Sequence, residues 1–429
     1  MNSVADRVKS YCEEILTESL RHLESMVAIN SHSENHAGVR RLGELTAEFF
    51  APLGFQAKFI PSTCGYGDHL ALVKEGQADM SVGFLSHLDT VFTLEEETLR
   101  DFHYRVREGQ PDRIYGPGTV DIKGGTIVLL MAMQAMKQFF PEEFAAARWT
   151  ILLDSSEEVG ATDFEGICAD YFTGAKGVLV FEGGIQDDKG NFQIVCARRG
   201  IAVCDIEVAG RAAHAGSAHQ YGANAIVQLA RVIDRMAAIT DYNRGLTCNV
   251  GVVSGGSVIN AVPDHALAKT EMRCFTPAPL EEAMRKVEAM AGPWNPESKA
   301  FEGPGDVKAA NDGFPCSIKV RWTNRMHPWP EKDPKTVQLF DVWRQAAEDF
   351  LGVSAKPESR GGLSDANRTW NLAPTLDGLG PAGSNAHCSL HNPENNQEQE
   401  YALISSFAPK AALNALGTMR LLGSEKLKK

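Results

Sequence analysis

The apolar positions change period along the chain, and each change marks an architectural boundary. Over residues 5–28 they recur at helical spacing and predict an amphipathic helix. From about residue 68 short β-rich runs alternate with helical ones. The strands are read at SVGFLSH (81–87), WTILLD (149–154) and GVLVFEG (177–183), and the helical runs at 126–140 and 160–172. Apolar strands alternating with helices predict an α/β fold with a mostly parallel sheet flanked by helices. Near residue 200 the strands begin to alternate apolar with polar: IAVCDIEVAG (201–210), LTCNVGVVSGG (246–256) and HALAKTEMRCF (265–275), with helices over 223–239 and 279–292. That pattern predicts an α+β unit, antiparallel strands with two helices on one face. The stretch 293–316 is rich in Pro and Gly and reads as irregular. A strand over 316–322, a helix over 336–352 and segments at 373–380 and 401–423 resume the α/β texture. The expected organisation is a discontinuous domain of residues 1–199 and 317–429, interrupted by an insert of residues 200–316.

Composition narrows the class. A chain of 429 residues, 43% hydrophobic and 23% charged, is globular. It is too long for one core, because cores stop growing near about 250–300 residues. A net charge of −13 gives no long-range attraction to nucleic acid or an anionic membrane, but suits cations. No run approaches 18 apolar residues, so no membrane helix is expected. The first twenty residues carry acids throughout and lack an apolar signal core. The nine cysteines form no C-x-x-C pair and fit reduced thiols. A cytoplasmic protein is expected, without nucleic-acid or membrane partners.

Ligand-type side chains follow the apolar strands, where open α/β sheets bind their ligands. FLSHLDTVF holds His87 and Asp89; a His oriented by a carboxylate suits a metal, and a turn Asp bonded to a strand-end His is the plainer alternative. Asp121 stands in the Gly-rich run YGPGTVDIKGG, as a ligand or as a helix N-cap. Glu157 and Glu158 in LLDSSEEVG are adjacent carboxylates pointing different ways. One can hold a metal while the other moves a proton, or both can simply favour a helix dipole. Glu182 ends LVFEGG. His387 lies in GPAGSNAHCSLHNPEN, with His391 and Glu394 as nearby alternatives. Two His with several carboxylates suit paired divalent zinc. There is no HExxH, GxSxG or P-loop, and the GxGxxG at Gly378, Gly380 and Gly383 leads into no βαβ unit.

These motifs in this order resemble the two-zinc exopeptidase and deacylase family of glutamate carboxypeptidase, aminoacylase, acetylornithine deacetylase and succinyl-diaminopimelate desuccinylase. The likeness rests on SHLDTV, the GxGxxDxKGG run from Gly116 to Gly125, the EE pair, FEGG, RAAHAG and GPAGSNAH, and spans about residues 80–425. Further segments match glutamate carboxypeptidase in order. The resemblance implies a zinc-peptidase α/β fold with an inserted lid and dimerisation domain, and two zinc ions per chain. His87 and Glu182 would hold one ion, Glu158 and His387 the other, with Asp121 bridging and Asp89 orienting His87. Glu157 would be the general base. The Asp121–Ile122 peptide would be cis. His214 of RAAHAG would reach the partner subunit's centre and stabilise an oxyanion. Asn260, Arg325 and the Gly361–Gly362 loop with Asp365 would meet substrate, Arg325 clamping its carboxylate. The implied protein is a homodimeric hydrolase of an amide next to a free carboxylate, in a peptide or an N-acyl amino acid. An N-acyl-amino-acid deacylase is the alternative of the same chemistry, and a non-catalytic metal-binding homologue the alternative of another class.

Overall fold

The computed structural model describes residues 3–428 and divides into two compact units. The first is assembled from the chain up to Cys196, Lys332–Ser359 and the chain from Ser364 on. Its main sheet has six strands, in the order Gln56–Ile60, His69–Lys74, Ala147–Asp154, Gln77–His87, Val178–Val180, Thr375–Leu376. The last four run parallel; the first two are antiparallel additions at one edge. The parallel strands are apolar on both faces, as strands covered on both sides must be. Helix Lys123–Phe139 is buried almost throughout, as is Ile404–Leu421. Both are hydrophobic all round rather than striped, which fits helices enclosed by other elements. A four-stranded antiparallel sheet, Gly383–Ser384, Tyr401–Leu403, Gln110–Tyr115 and Arg105–Arg107, also belongs to this unit.

Three local readings differ from the sequence pattern. The helix expected over 5–28 is two helices, Val4–Glu14 and Leu16–Val27, parted at Ile15. The Ser19 hydroxyl donates to the Ile15 carbonyl (2.9 Å), a back-bond that bends helices. Helix His36–Phe50 and the two antiparallel edge strands precede or begin the region read as α/β and lie outside the elements expected from the sequence. The helix expected over 336–352 is α-helical only over Pro334–Ala346 and ends in a π turn, Ala347–Leu351.

The second unit comprises Ala197–Glu331 and Arg360–Leu363. Its antiparallel sheet runs in the order Thr247–Gly255, His265–Cys274, Gly200–Ala209, Pro315–Met326, Ala300–Lys308, Trp294–Asn295. Alternate residues of Gly200–Ala209 (Ala202, Cys204, Ile206, Val208) join one buried cluster with helices Ala225–Ala237 and Pro277–Ala291. Here the expected boundary is corrected: the unit ends at 331, not 316. Pro315–Met326 pairs with Gly200–Ala209 along most of its length and belongs to the same sheet. The stretch 293–316 is not irregular either. Ala300–Lys308 is a strand, bent between Pro304 and Lys308 where its pairing slips. Its Gly and Pro disguise it.

Candidate metal centre

The parallel strands deliver their side chains to one end of the sheet. His87 pairs with Asp154, and Leu85 with Val180, so the three strands stop nearly level. His87, the Glu157–Glu158 pair and Glu182 therefore emerge side by side. Asp121 reaches them from the loop before helix Lys123–Phe139. The adjoining glycines allow this: a Cβ on Gly125 would lie 1.9 Å from the Phe181 carbonyl oxygen, the residue before Glu182. The Asp121–Ile122 peptide is cis. His387 comes from the loop after Gly383–Ser384 and adopts a left-handed φ of +65°.

Asp121 is the geometric middle. His87 Nε2 lies 3.1 Å from one oxygen of Asp121, and His387 Nε2 lies 3.2 Å from the other. His87 Nε2 is also 3.8 Å from Glu182, and His387 Nε2 3.0 Å from Glu158. Ligand atoms of His87, Asp121 and Glu158 fall within 4.8 Å of one another. The structure thus gathers all five residues expected as ligands. Asp89 lies behind them. Its backbone oxygen is 3.0 Å from His87 Nδ1, and its carboxylate accepts from the Glu157 and Glu158 amides (3.2 Å each) and the Ser33 hydroxyl (2.6 Å). It fixes the imidazole and the EE pair together.

Electrostatics make the centre a cation trap. Burial pushes the Glu157 carboxyl well above the usual carboxylate range, and Glu182, Asp365 and Glu158 add to this against the pull of His87. Hydrogen bonds to Asp121 and Glu158 hold the His387 imidazole protonated, up to about 11. Burial works against charge on His87, yet Asp121 and Asp89 raise it as well. Both imidazoles are recruited as counter-charges to a cluster of acids. Asp121 and Glu158 pair with histidine, not with lysine or arginine. A divalent cation satisfies the same need with the imidazoles neutral, and two imidazole nitrogens with three carboxylates suit zinc.

The remaining expected residues lie in the second unit. His214 and Asn260 are neighbours across the ribbon Ala213–His214/Ala261–Val262, where the Ala215 amide donates to Asn260 O (2.9 Å). His214 Nδ1 accepts from the Gly216 and Ser217 amides (3.1 Å each), which places the proton on Nε2. Arg325 sits opposite Ala202, near the other end of strand Gly200–Ala209, 3.7 Å from Glu281. Gly362 is there too, its carbonyl accepting from Arg198 (3.0 Å). His391 stands outside the centre, its Nδ1 3.1 Å from Arg107.

Sequence reasoning missed Ser33, Glu400 and Arg368. Glu400 is fully buried and accepts from the Val120 and Asp121 amides. Arg368 pairs with buried Asp365 at 2.9 Å. None stands in a motif with a chemical meaning of its own. Glu400 was findable only as an acid flanked by the apolar Tyr401–Leu403 strand.

Residues 196–299 match the M20 peptidase dimerisation domain. Carboxypeptidase G2 of Pseudomonas sp. (strain RS-16) is 27% identical over 95% of this chain and 90% of its own. N-acetyl-L-citrulline deacetylase of Xanthomonas campestris pv. campestris is 27% identical over 70% of this chain and 79% of its own. The fold is that of the M20 family metallo-carboxypeptidase Sso-CP2 from Sulfolobus solfataricus, with a TM-score of 0.66 at 16% identity over 94% of this chain and 99% of that one. In sequence the chain is similar to carboxypeptidase G2 and N-acetyl-L-citrulline deacetylase, in fold to an M20 metallo-carboxypeptidase, and residues 196–299 match the M20 peptidase dimerisation domain.

Proposed function

We propose that the chain is a two-zinc amide hydrolase of carboxypeptidase type, cleaving the bond next to a free carboxylate. The observation that carries this is Asp121, whose two oxygens each face a different histidine, beside an acid pair of which only Glu158 meets a histidine. His87, Glu182, Glu158 and His387 are the other ligands in this reading. When bound, the ions supply Lewis-acid polarisation of the carbonyl and a water acidic near neutrality.

The chain's own residues do the rest. Glu157 takes the proton of the attacking water as the C–O bond forms, then delivers it to the leaving nitrogen as the C–N bond breaks. A carboxyl raised by burial is suited to holding that proton between the two steps. Asp89 keeps His87 and Glu157 aligned. His214 Nε2–H donates to the oxyanion, a contact typically worth about 2.7–4 kcal/mol. The Arg325 fork receives the substrate carboxylate, and Asn260 and Gly362 line its path.

A homodimer follows from the same reading. Thr247–Gly255 is an edge strand that exposes Val252 and Val253, and Ile226 and Val227 stand exposed at the start of the neighbouring helix. An open apolar edge favours pairing with a second copy. No helix among the described residues is long and apolar enough to cross a membrane. All nine cysteines are unpaired, which supports a reducing, cytoplasmic setting.

The test is amide hydrolysis by zinc-loaded protein on C-terminal glutamate dipeptides, benzoyl- and pteroyl-glutamate, and N-acetyl and N-succinyl amino acids. Turnover that disappears in Glu157→Ala while both zincs stay bound is the expected result. Loss of zinc from that variant would refute the base assignment. Preference for the N-acyl amino acids would favour the deacylase reading, which the likeness to N-acetyl-L-citrulline deacetylase supports.

A further inference from the structure

Glu400 lies outside every motif, yet it touches both loops that carry the middle of the metal centre. Its side chain is fully buried. One oxygen, Oε1, accepts from the Val120 amide at 2.9 Å and the Asp121 amide at 3.1 Å. Its own amide donates to the Cys388 carbonyl at 2.8 Å, the residue after His387. Its carbonyl accepts from the Gly116 amide at 3.4 Å, at the start of the Asp121 loop. The second oxygen, Oε2, is buried without a hydrogen-bond partner.

Leaving one carboxylate oxygen unbonded in the interior is costly. The cost is offset by two hydrogen bonds from backbone amides to the other oxygen. Both amides sit at the residue pair ending in Asp121. A loop that needed only satisfied amides could turn them to solvent or to a neighbouring carbonyl. What this arrangement adds is a fixed distance. The Asp121 loop is held by the side chain of Glu400, the His387 loop by its main chain, and Asp121 Oδ2 comes to rest 3.2 Å from His387 Nε2.

We infer that Glu400 is the positioning residue of the centre: by its reach it clamps the Asp121 loop to the His387 loop and so sets the spacing of the bridging carboxylate. The inference rests on the two-zinc reading. Glu400 acts on the centre through the Val120 and Asp121 amides, so its effect is read first in metal binding.

Reach and charge are separable by substitution. Glu400→Gln keeps an oxygen at the same reach without the charge. Glu400→Asp keeps the charge and withdraws the oxygen by one methylene. The full-length protein, stripped of metal, is titrated with zinc against a chromogenic chelator, and with cobalt(II) while the visible d–d bands are recorded. Circular dichroism confirms that each variant is folded. Glu400→Gln is expected to bind two zincs within about threefold of wild type, and Glu400→Asp to lose at least about tenfold at the weaker site with shifted cobalt bands. Wild-type affinity and bands in Glu400→Asp would overturn the inference. So would Glu400→Gln binding as weakly as Glu400→Asp, since charge and not reach would then matter. The centre itself has separate controls. Wild type that binds no zinc, or His87→Ala and His387→Ala variants that keep both zincs, would sink the two-zinc reading and this inference with it.

Discussion

Asp89 shows how much one side chain organises. Its carboxylate accepts from Ser33, Glu157 and Glu158, and its backbone oxygen meets His87. Replacing it with Ala orphans three donors and leaves the His87 ring held only by the backbone oxygen of residue 89, without the carboxylate 3.4 Å away. Groups that orient metal ligands typically carry 10–100-fold in affinity. Asp89→Ala is therefore expected to weaken zinc by about that factor, measured by chelator competition. Ser33→Ala, which removes one donor and leaves the two amides bonded, is expected to fall short of a tenfold loss. An Asp89→Ala protein with undiminished zinc affinity would show that the carboxylate does not order the centre. The five expected ligands and the expected base were legible because each follows an apolar strand or opens a Gly-rich turn. Ser33, Glu400 and Arg368 were not. A lone Ser, Glu or Arg has many uses, and only the fold brings these three beside the motifs.

At the scale of elements, legibility followed periodicity. The parallel strands and the enclosed helices show continuous apolar runs and emerged cleanly. Ala300–Lys308 did not, because Gly303, Pro304 and Gly305 mask its alternation, and the insert was cut short as a result. Helix Phe164–Phe172 was expected from 160 and begins later, at a residue that does not cap it. Asp163 occupies the N-cap position without a capping bond. Its carboxylate instead accepts from the Ser62 hydroxyl (2.7 Å) and the Thr63 and Cys64 amides (2.6 and 3.1 Å). Burial opposes its charge, but these bonds and nearby His69 prevail and hold its pKa at about 2. A folded-state value below the unfolded one gives stability that is present above about pH 4 and lost as pH falls through about 2. Asp163→Ala is expected to cost about 2 kcal/mol in urea unfolding at neutral pH. The gap between variant and wild type should narrow as the pH drops from 4 toward 2. A gap that stays constant over that interval would mean the loop is held by shape and not by the carboxylate.

At the scale of the whole molecule, the second unit poses a problem of distance that the proposed dimer would solve. His214 and Asn260 lie beyond one end of strand Gly200–Ala209, and Arg325 sits opposite Ala202 near the other. The seven steps from Ala202 to Ala209 span about 23 Å at 3.3 Å each, far more than one small substrate. If one unit offered all three residues to a single substrate, that span would have to collapse. In the proposed homodimer this is avoided if each substrate meets Arg325 of one chain and His214 with Asn260 of the other. The arrangement has a numerical consequence. Glu157→Ala dimers lack the base in both centres, and His214→Ala dimers lack the oxyanion donor in both. In a mixed dimer one centre carries both defects. The other joins an intact Glu157 to an intact His214 and is whole. After equal mixing and full subunit exchange, half the dimers are mixed and half their centres work, so activity is expected to return to about one quarter of wild type. Turnover is assayed before and after exchange, with exchange itself followed by native mass spectrometry of tagged chains. Return of activity in step with mixed dimers places His214 in the partner's centre. Full exchange without recovery would mean that each chain completes its own centre, and the span between Arg325 and His214 would then exclude one of them from the substrate.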